Sequence, residues 1–206
     1  FTVKGGSPNA AGLRKSVYTE DLAVKHKFPL VRLHEGGGGS VAGPSKEKKG
    51  YGGDPVFARS RFKSVAQTLK EVPVVSAALG PVAGLPASRF VGSHFRIMVK
   101  DNAQILVAGP AVVSRAFGKD FTKEELGGSD VHKKNGVTDN IAESEEDAFN
   151  QIKKFLSFFP ANIYELPPHK ESKDETDRSE KLLEEIIPKD RKKTYEMRET
   201  SQMVVD

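Results

Sequence analysis

The sequence predicts an α/β fold in which strands alternate with helices through crossover connections. Three observations carry this. The apolar runs Phe28-Pro29-Leu30-Val31-Arg32-Leu33-His34 and Val72-Pro73-Val74-Val75-Ser76-Ala77-Ala78 have the length and content of buried strands. Stretches with helical apolar spacing lie between and after them. Glycine- and proline-rich turns punctuate the chain, and no internal repeat is visible.

Taken in order, Phe1-Thr2-Val3 followed by Lys4-Gly5-Gly6-Ser7 reads as a strand end running into a glycine turn. Residues 9–27 predict a helix through Leu13, Val17, Leu22 and Val24, and the first apolar strand follows. Residues 45–53 form a polar loop, and residues 57–69 resume helical spacing through Phe57, Phe62, Val65 and Leu69. The second apolar strand then enters the turn Leu79-Gly80-Pro81-Val82-Ala83-Gly84, where Pro86 suits the first turn of a helix. Short strands are expected at Phe95-Arg96-Ile97-Met98-Val99 and Ala103-Gln104-Ile105-Leu106-Val107-Ala108, with a short helix over 112–117. A helix over 121–128 is capped by Thr122 and stopped by glycine, and Asn135-Gly136 turns into a last short strand. Residues 144–158 predict an amphipathic helix. Ser144 is its N-cap, three acids fill its first turn, and Ala148, Ile152, Phe155, Leu156 and Phe159 form its apolar face. After Pro160 the composition turns polar, and Pro167-Pro168 opens a charged run read as an extended linker.

Composition narrows the function classes. The 206 residues are enough for one domain with a real core and a short appendage. Without cysteine there is no disulfide framework and no thiol nucleophile. The net charge of +4 is spread among interleaved acids, which suits an anionic small ligand and gives no dedicated nucleic-acid surface. No apolar run is long enough to span a bilayer. The chain starts at Phe1 without methionine and ends at Val204-Val205-Asp206 without a cap, which reads as a portion of a longer polypeptide. His26, His34, His94 and His169 lack metal-ligand spacing and read as surface or packing residues.

Two glycine-rich turns are candidates for chemistry. A strand, a tight turn and a helix start aim unpaired N–H groups at one point, where a developing oxyanion can be held. Leu79 to Ser88 have that layout, though the same layout also serves as plain connection. Gly36, Gly37, Gly38 and Gly39 allow close backbone approach to a ligand; a flexible loop and a spacer-like Gly-Gly-Gly-Gly-Ser segment are the other readings.

The order of motifs resembles the carboxyltransferase (beta) subunit of biotin-dependent acyl-CoA carboxylases of the propionyl-CoA and methylcrotonyl-CoA type. The likeness rests on Thr2-Val3-Lys4-Gly5-Gly6-Ser7, Glu35-Gly36-Gly37-Gly38, Gly80-Pro81-Val82-Ala83-Gly84 and Ala108-Gly109-Pro110. It continues through Glu125-Leu126-Gly127-Gly128-Ser129-Asp130-Val131-His132, Asn135-Gly136-Val137-Thr138-Asp139 and Leu156-Ser157-Phe158-Phe159-Pro160-Ala161-Asn162. The resemblance implies a crotonase-like fold of ββα units. Residues 1–165 would belong to the N-terminal carboxyltransferase domain, 166–193 to a charged interdomain linker, and 194–206 to the start of the C-terminal domain.

The resemblance also implies the chemistry: carboxyl transfer from carboxybiotin to the enolate of a short acyl-CoA. The backbone N–H groups of Gly84 and Leu85 would hold the thioester oxygen, and Gly36 to Gly39 with Ala83 would line the cleft. Biotin would ride on a partner subunit or domain, the biotin-carrying alpha subunit, and no metal is required. A homo-oligomer, hexameric by resemblance, and a mitochondrial matrix or bacterial cytoplasmic location follow from the same likeness. The motifs around Asp130 and Asp139 lean towards the methylcrotonyl type and Leu156 to Asn162 towards the propionyl type, so methylcrotonyl-CoA is the favoured acyl group on this reading and propionyl-CoA the next. His132 and Asp130 read as capping or packing residues, and Arg96 and Lys100 as a solvated strand face or contacts for CoA phosphates. The family pattern has glycine where Leu85 stands, so a non-catalytic assembly subunit is the alternative. A hydratase or isomerase of the wider superfamily would need a carboxylate pair, and no acid stands between Glu71 and Asp101.

Overall fold

The computed structural model describes residues 4–7, 10–38, 61–171, 175 and 177–205, in two compact units, Phe1–Pro168 and His169–Asp206. The expected strand end at Phe1-Thr2-Val3 and the polar loop at 45–53 lie outside the described residues.

In the first unit a short 3-10 turn, Lys4–Gly6, precedes α1 (Ala10–His26), β1 (Leu30–Gly36), α2 (Arg61–Glu71) and β2 (Val74–Ala83). Then come α3 (Leu85–Val91), β3 (Phe95–Val99), β4 (Gln104–Leu106), α4 (Pro110–Phe117) and α5 (Lys123–Gly127). The unit continues with α6 (Ser129–Asn135), β5 (Asn140–Ala142) and α7 (Glu145–Leu156). Every strand pair is parallel. The sheet runs β1-β2-β3-β5, with β4 added to β2. This is the expected α/β alternation with crossovers.

β2 organises the sheet because it is long enough to serve three neighbours. Val75 to Ala78 pair with β3, while Pro81, Val82 and Ala83 pair with β4. On its other edge β1 follows it until the register shifts between His34 and Gly36. The expected glycine turn at 79–84 is therefore mostly strand, and the chain reverses only at Gly84 (φ 69°), the N-cap of α3. The core lies between this sheet and helices α3 and α7: Val75, Ala77, Ala78 and Val82 meet Phe90, Ile97, Met98 and Ile152.

Local signals set several boundaries. Ser144 Oγ accepts from Asp147 N at 3.1 Å and starts α7. Thr122 and Glu125 form a reciprocal capping box at α5, satisfying two amides that the helix leaves without partners. Glu125 accepts both the backbone and the side-chain bond of Thr122, which holds its carboxyl below its ordinary value.

Three expectations need correction. β1 is not buried on both faces: it is an edge strand in which Leu30, Arg32 and His34 are covered while Val31 and Leu33 are exposed. α1 buries Glu20 and Ala23, while the expected apolar positions Val17, Leu22 and Val24 are only half-buried, because a salt-bridge cluster sits beneath the helix. The stretch after Gly128 forms α6, which lacks apolar periodicity and shares Gly128 as its N-cap with the C-cap of α5.

The second unit holds α8 (Leu182–Ile186) and α9 (Met197–Val204). The predicted linker thus contains a helical turn at α8 rather than extended chain throughout. α9 is capped by Glu196, whose carboxylate accepts from Arg198 N at 3.2 Å.

Candidate active site

Three glycine-bearing backbone segments meet at the C-terminal ends of β1 and β2. The first is the turn at Gly5 and Gly6, which abuts the end of β1. Gly37 N donates to Gly5 O at 2.8 Å, and a Cβ on Gly36 would lie 2.8 Å from Gly6 O. Gly36 has φ 119°, where an L side chain is strained, so this position calls for glycine twice over.

The second and third segments meet at Gly38. A Cβ there would lie 2.6 Å from Ala83 O and 2.7 Å from Leu85 N. Bare backbone thus faces bare backbone, and the loop after β1 closes directly onto the first turn of α3. Gly36, Gly37, Gly38, Ala83, Gly84 and Leu85 are brought into one cluster, with Gly36 and Gly37 on the Gly5-Gly6 side and Gly38 against α3. Gly39, the remaining predicted member, lies outside the described residues.

The N–H groups divide into engaged and unengaged. Gly84 N donates to Leu106 O at 3.0 Å and belongs to the β2–β4 ladder, so it is not a second open donor beside Leu85. Leu85 N stands at the first helical position, where no intrahelical acceptor exists. Among the described residues neither Leu85 N nor Gly38 N has an acceptor. The sequence pointed to Gly84 and Leu85; the pair of open amides is Gly38 and Leu85. The glycine run signalled Gly38, but not which glycine would touch α3.

Beside the cluster, a cleft of about 330 Å³ follows β1 and is lined by Val31, Leu33, Glu35, Leu85, Pro86 and Arg89, among others. Leu85 and Pro86 thus border this cleft, and Leu85 N lies beside Gly38 as well.

Behind the cluster lies a buried polar group that the sequence did not signal. Glu20, 2% exposed, accepts from Arg32 Nη2 at 2.8 Å, from Arg89, and from Ser64 Oγ at 2.7 Å. Burial holds the Arg32 guanidinium below its ordinary pKa, with Glu20 acting in the opposite sense and Arg89 adding to the fall. Next to it, His34 Nε2 sits 3.1 Å from Ser76 Oγ, which lies 2.7 Å from Ser93 Oγ. Burial, followed by the charges of Arg32 and Arg89, pushes the His34 pKa down to about 3.

The other polar candidates have partners within the fold. His132 Nε2 bonds Ile105 O at 2.8 Å, in the packing role expected of it. Arg96 is clamped by Asp139 through three bonds of 2.8 to 2.9 Å, and Lys100 pairs with Glu143 at 3.1 Å. Among the described residues there is no group of three His, Asp or Glu side chains placed to hold a metal, and no helix is long and apolar enough to cross a membrane.

The chain is similar to known proteins along its whole length. The methylmalonyl-CoA decarboxylase subunit alpha of Veillonella parvula is 31% identical over 207 aligned residues, covering 100% of this chain and 39% of that protein. The mitochondrial propionyl-CoA carboxylase beta chain of Homo sapiens is 30% identical, covering 100% of this chain and 37% of that protein. Among solved structures, transcarboxylase 12S, a hexamer described with methylmalonyl-coenzyme A bound, matches with a TM-score of 0.66 at 28% identity, over 100% of this chain and 39% of that one. The beta subunit of geranyl-CoA carboxylase from P. aeruginosa matches with a TM-score of 0.61 at 25% identity, over 96% of this chain and 36% of that one. The chain thus spans 37% to 39% of the length of these curated relatives. A sheet with this crotonase-like layout, glycine turns meeting at its C-terminal end, and a match of residues 1–206 to the carboxyl transferase domain model have one reading: the chain belongs to the carboxyl transferase domain family.

Proposed function

We propose that this chain supplies the acyl-CoA half of a carboxyltransferase site in a biotin-dependent acyl-CoA carboxylase. Carboxylating the carbon beside a thioester requires an enolate, and charge then collects on the thioester oxygen. The observation that supports this reading is the pair of unengaged amides, Gly38 N and Leu85 N, on two segments that approach too closely to admit a Cβ. Donors fixed in advance lose little on reorganisation, and removing one typically lowers turnover about 10²- to 10³-fold.

Two amides suffice for a single oxygen atom. A bicyclic ring such as biotin needs further walls, which we assign to a second domain or subunit. Biotin, carried on a partner, supplies the carboxyl group when bound. This chain's residues bind and orient the thioester, and no side-chain base is assigned to them. A homo-oligomer belongs to the same reading, in line with the hexamer that transcarboxylase 12S forms.

For the acyl group we favour propionyl- or methylmalonyl-type chains. The Asp139 motif, which leaned towards methylcrotonyl-CoA, is engaged with Arg96, and the similar proteins are named for propionyl-, methylmalonyl- and geranyl-CoA. The test is carboxyl transfer by the full-length protein with its biotin-carrying partner, offered propionyl-CoA and methylcrotonyl-CoA in parallel. Transfer to propionyl-CoA in preference is expected. Intact assembly without transfer to any acyl-CoA would favour the non-catalytic alternative.

A further inference from the structure

We propose that Glu20 is a positioning residue: through Arg32 and Arg89 it fixes the gap between the end of β1 and the first turn of α3, where Gly38 and Leu85 meet. The proposal rests on the carboxyltransferase reading for its catalytic consequence, though not for its geometry.

Glu20 uses both carboxylate oxygens. Oε1 accepts from Arg32 Nη2 and Arg89 Nη2, and Oε2 accepts from Ser64 Oγ. These partners lie on β1, α3 and α2, so one side chain of α1 joins all three elements. Arg32 then reaches onward, its Nη1 donating to Gly92 O at 2.8 Å and to Arg89 O at 3.3 Å at the C-terminal end of α3. α3 is thus gripped at its end by Arg32 and at Arg89, one helical turn beyond Leu85. Arg32 itself stands on the strand that leads to Gly38.

Charge makes the carboxylate necessary to this geometry. One buried carboxylate lies between two guanidinium groups, each with its side chain 13% exposed or less. Without it, two like charges would face each other away from water and draw solvent between β1 and α3. A buried ion cluster is poor evidence of added stability, because desolvation offsets much of its attraction; its better use is to select one arrangement. That arrangement matters at Gly38, where backbone already meets backbone and a shift of about 1 Å would misplace a donor.

The test uses the full-length enzyme assembled with its biotin-carrying partner. Arg89→Met leaves the Glu20–Arg32 pair balanced and the Arg32 bonds to Arg89 O and Gly92 O in place, and removes only the direct tie of Glu20 to the Arg89 side chain, so it decides the matter even where Glu20→Gln does not fold. Amide hydrogen exchange over 85–91 is expected to speed up about fivefold or more in Arg89→Met, with β3 and α7 unchanged. Turnover is expected to fall about tenfold, while KM for the acyl-CoA stays within about twofold. Unchanged exchange over 85–91, uniformly faster exchange across the unit, or wild-type turnover in the folded variant would each overturn the proposal. If the wild-type enzyme itself transfers no carboxyl group, the functional reading fails, and exchange alone decides the positioning role.

Discussion

A side-chain carbon on Gly38 would lie 2.7 Å from the amide nitrogen of Leu85, so the loop after β1 and the first turn of α3 touch through backbone alone. Neither neighbour is the yielding end of a flexible side chain. Gly38→Ala is therefore expected to force the two elements apart, destabilising the unit by about 1–3 kcal/mol and lowering carboxyl transfer about 100-fold. Gly37→Ala is the matched control. Its new carbon would sit 3.4 Å from Gly5 O, in ordinary contact, and the change in stability should be within about 1 kcal/mol. Equal urea midpoints for the two variants would show that the close approach is not real.

Leu85 occupies the first helical position of α3, where proline is tolerated because that N–H has no intrahelical partner. Leu85→Pro thus deletes one donor and leaves the helix able to form. Turnover is expected to drop about 10²- to 10³-fold, and the thermal midpoint to fall as well, because the proline ring carbon on that nitrogen enters the close approach to Gly38. Leu85→Ala keeps the amide and trims only the side chain bordering the cleft, and turnover should remain within about tenfold of wild type. If the two variants lose activity equally, the side chain rather than the amide is what matters.

Features set by neighbouring residues were legible in the sequence. Ser144 and Thr122 announced their helices because a cap bonds to residues three positions away; that Glu125 completes a capping box came from the structure. The long apolar run announced β2, and the glycine clusters announced where backbone would crowd. Features set by distant pairing were not legible. Nothing near Gly84 reveals that its N–H meets Leu106, since that bond depends on β4 returning beside β2. Nothing near Glu20 reveals Arg89, which lies 69 positions away. The pattern of β1 misled for the same reason: Arg32 and His34 are inward because partners from other elements satisfy them, while Val31 and Leu33 face out.

His34 is expected to make the fold sensitive to acid. Its folded pKa of about 3 lies below the ordinary value of 6.5, so the unfolded chain binds the extra proton. The stability associated with the neutral ring is fully present above pH 6.5 and is lost as pH falls towards 3. The slope is about 1.4 kcal/mol per pH unit inside that window, or about 2 kcal/mol between about pH 7 and pH 5. Urea unfolding at both pH values checks this. His34→Gln should flatten the difference, and an unchanged slope would assign the acid sensitivity to other groups.

Asp139 discriminates between a structural and a substrate-reading role for the motif that contains it. Its carboxylate accepts from Arg96 N at 2.8 Å, Nε at 2.9 Å and Nη2 at 2.8 Å, fastening the segment that enters β5 to β3. Charge-assisted bonds of this kind contribute about 1.5–3 kcal/mol. For a chain of this size each kcal/mol shifts the thermal midpoint by about 2–4 °C. Asp139→Ala should therefore lower the midpoint by roughly 3–12 °C. Because the carboxylate is held by Arg96, the ratio of kcat/KM for propionyl-CoA over methylcrotonyl-CoA should move less than about twofold. A large change in that ratio at an unchanged midpoint would return Asp139 to the role its sequence motif first suggested.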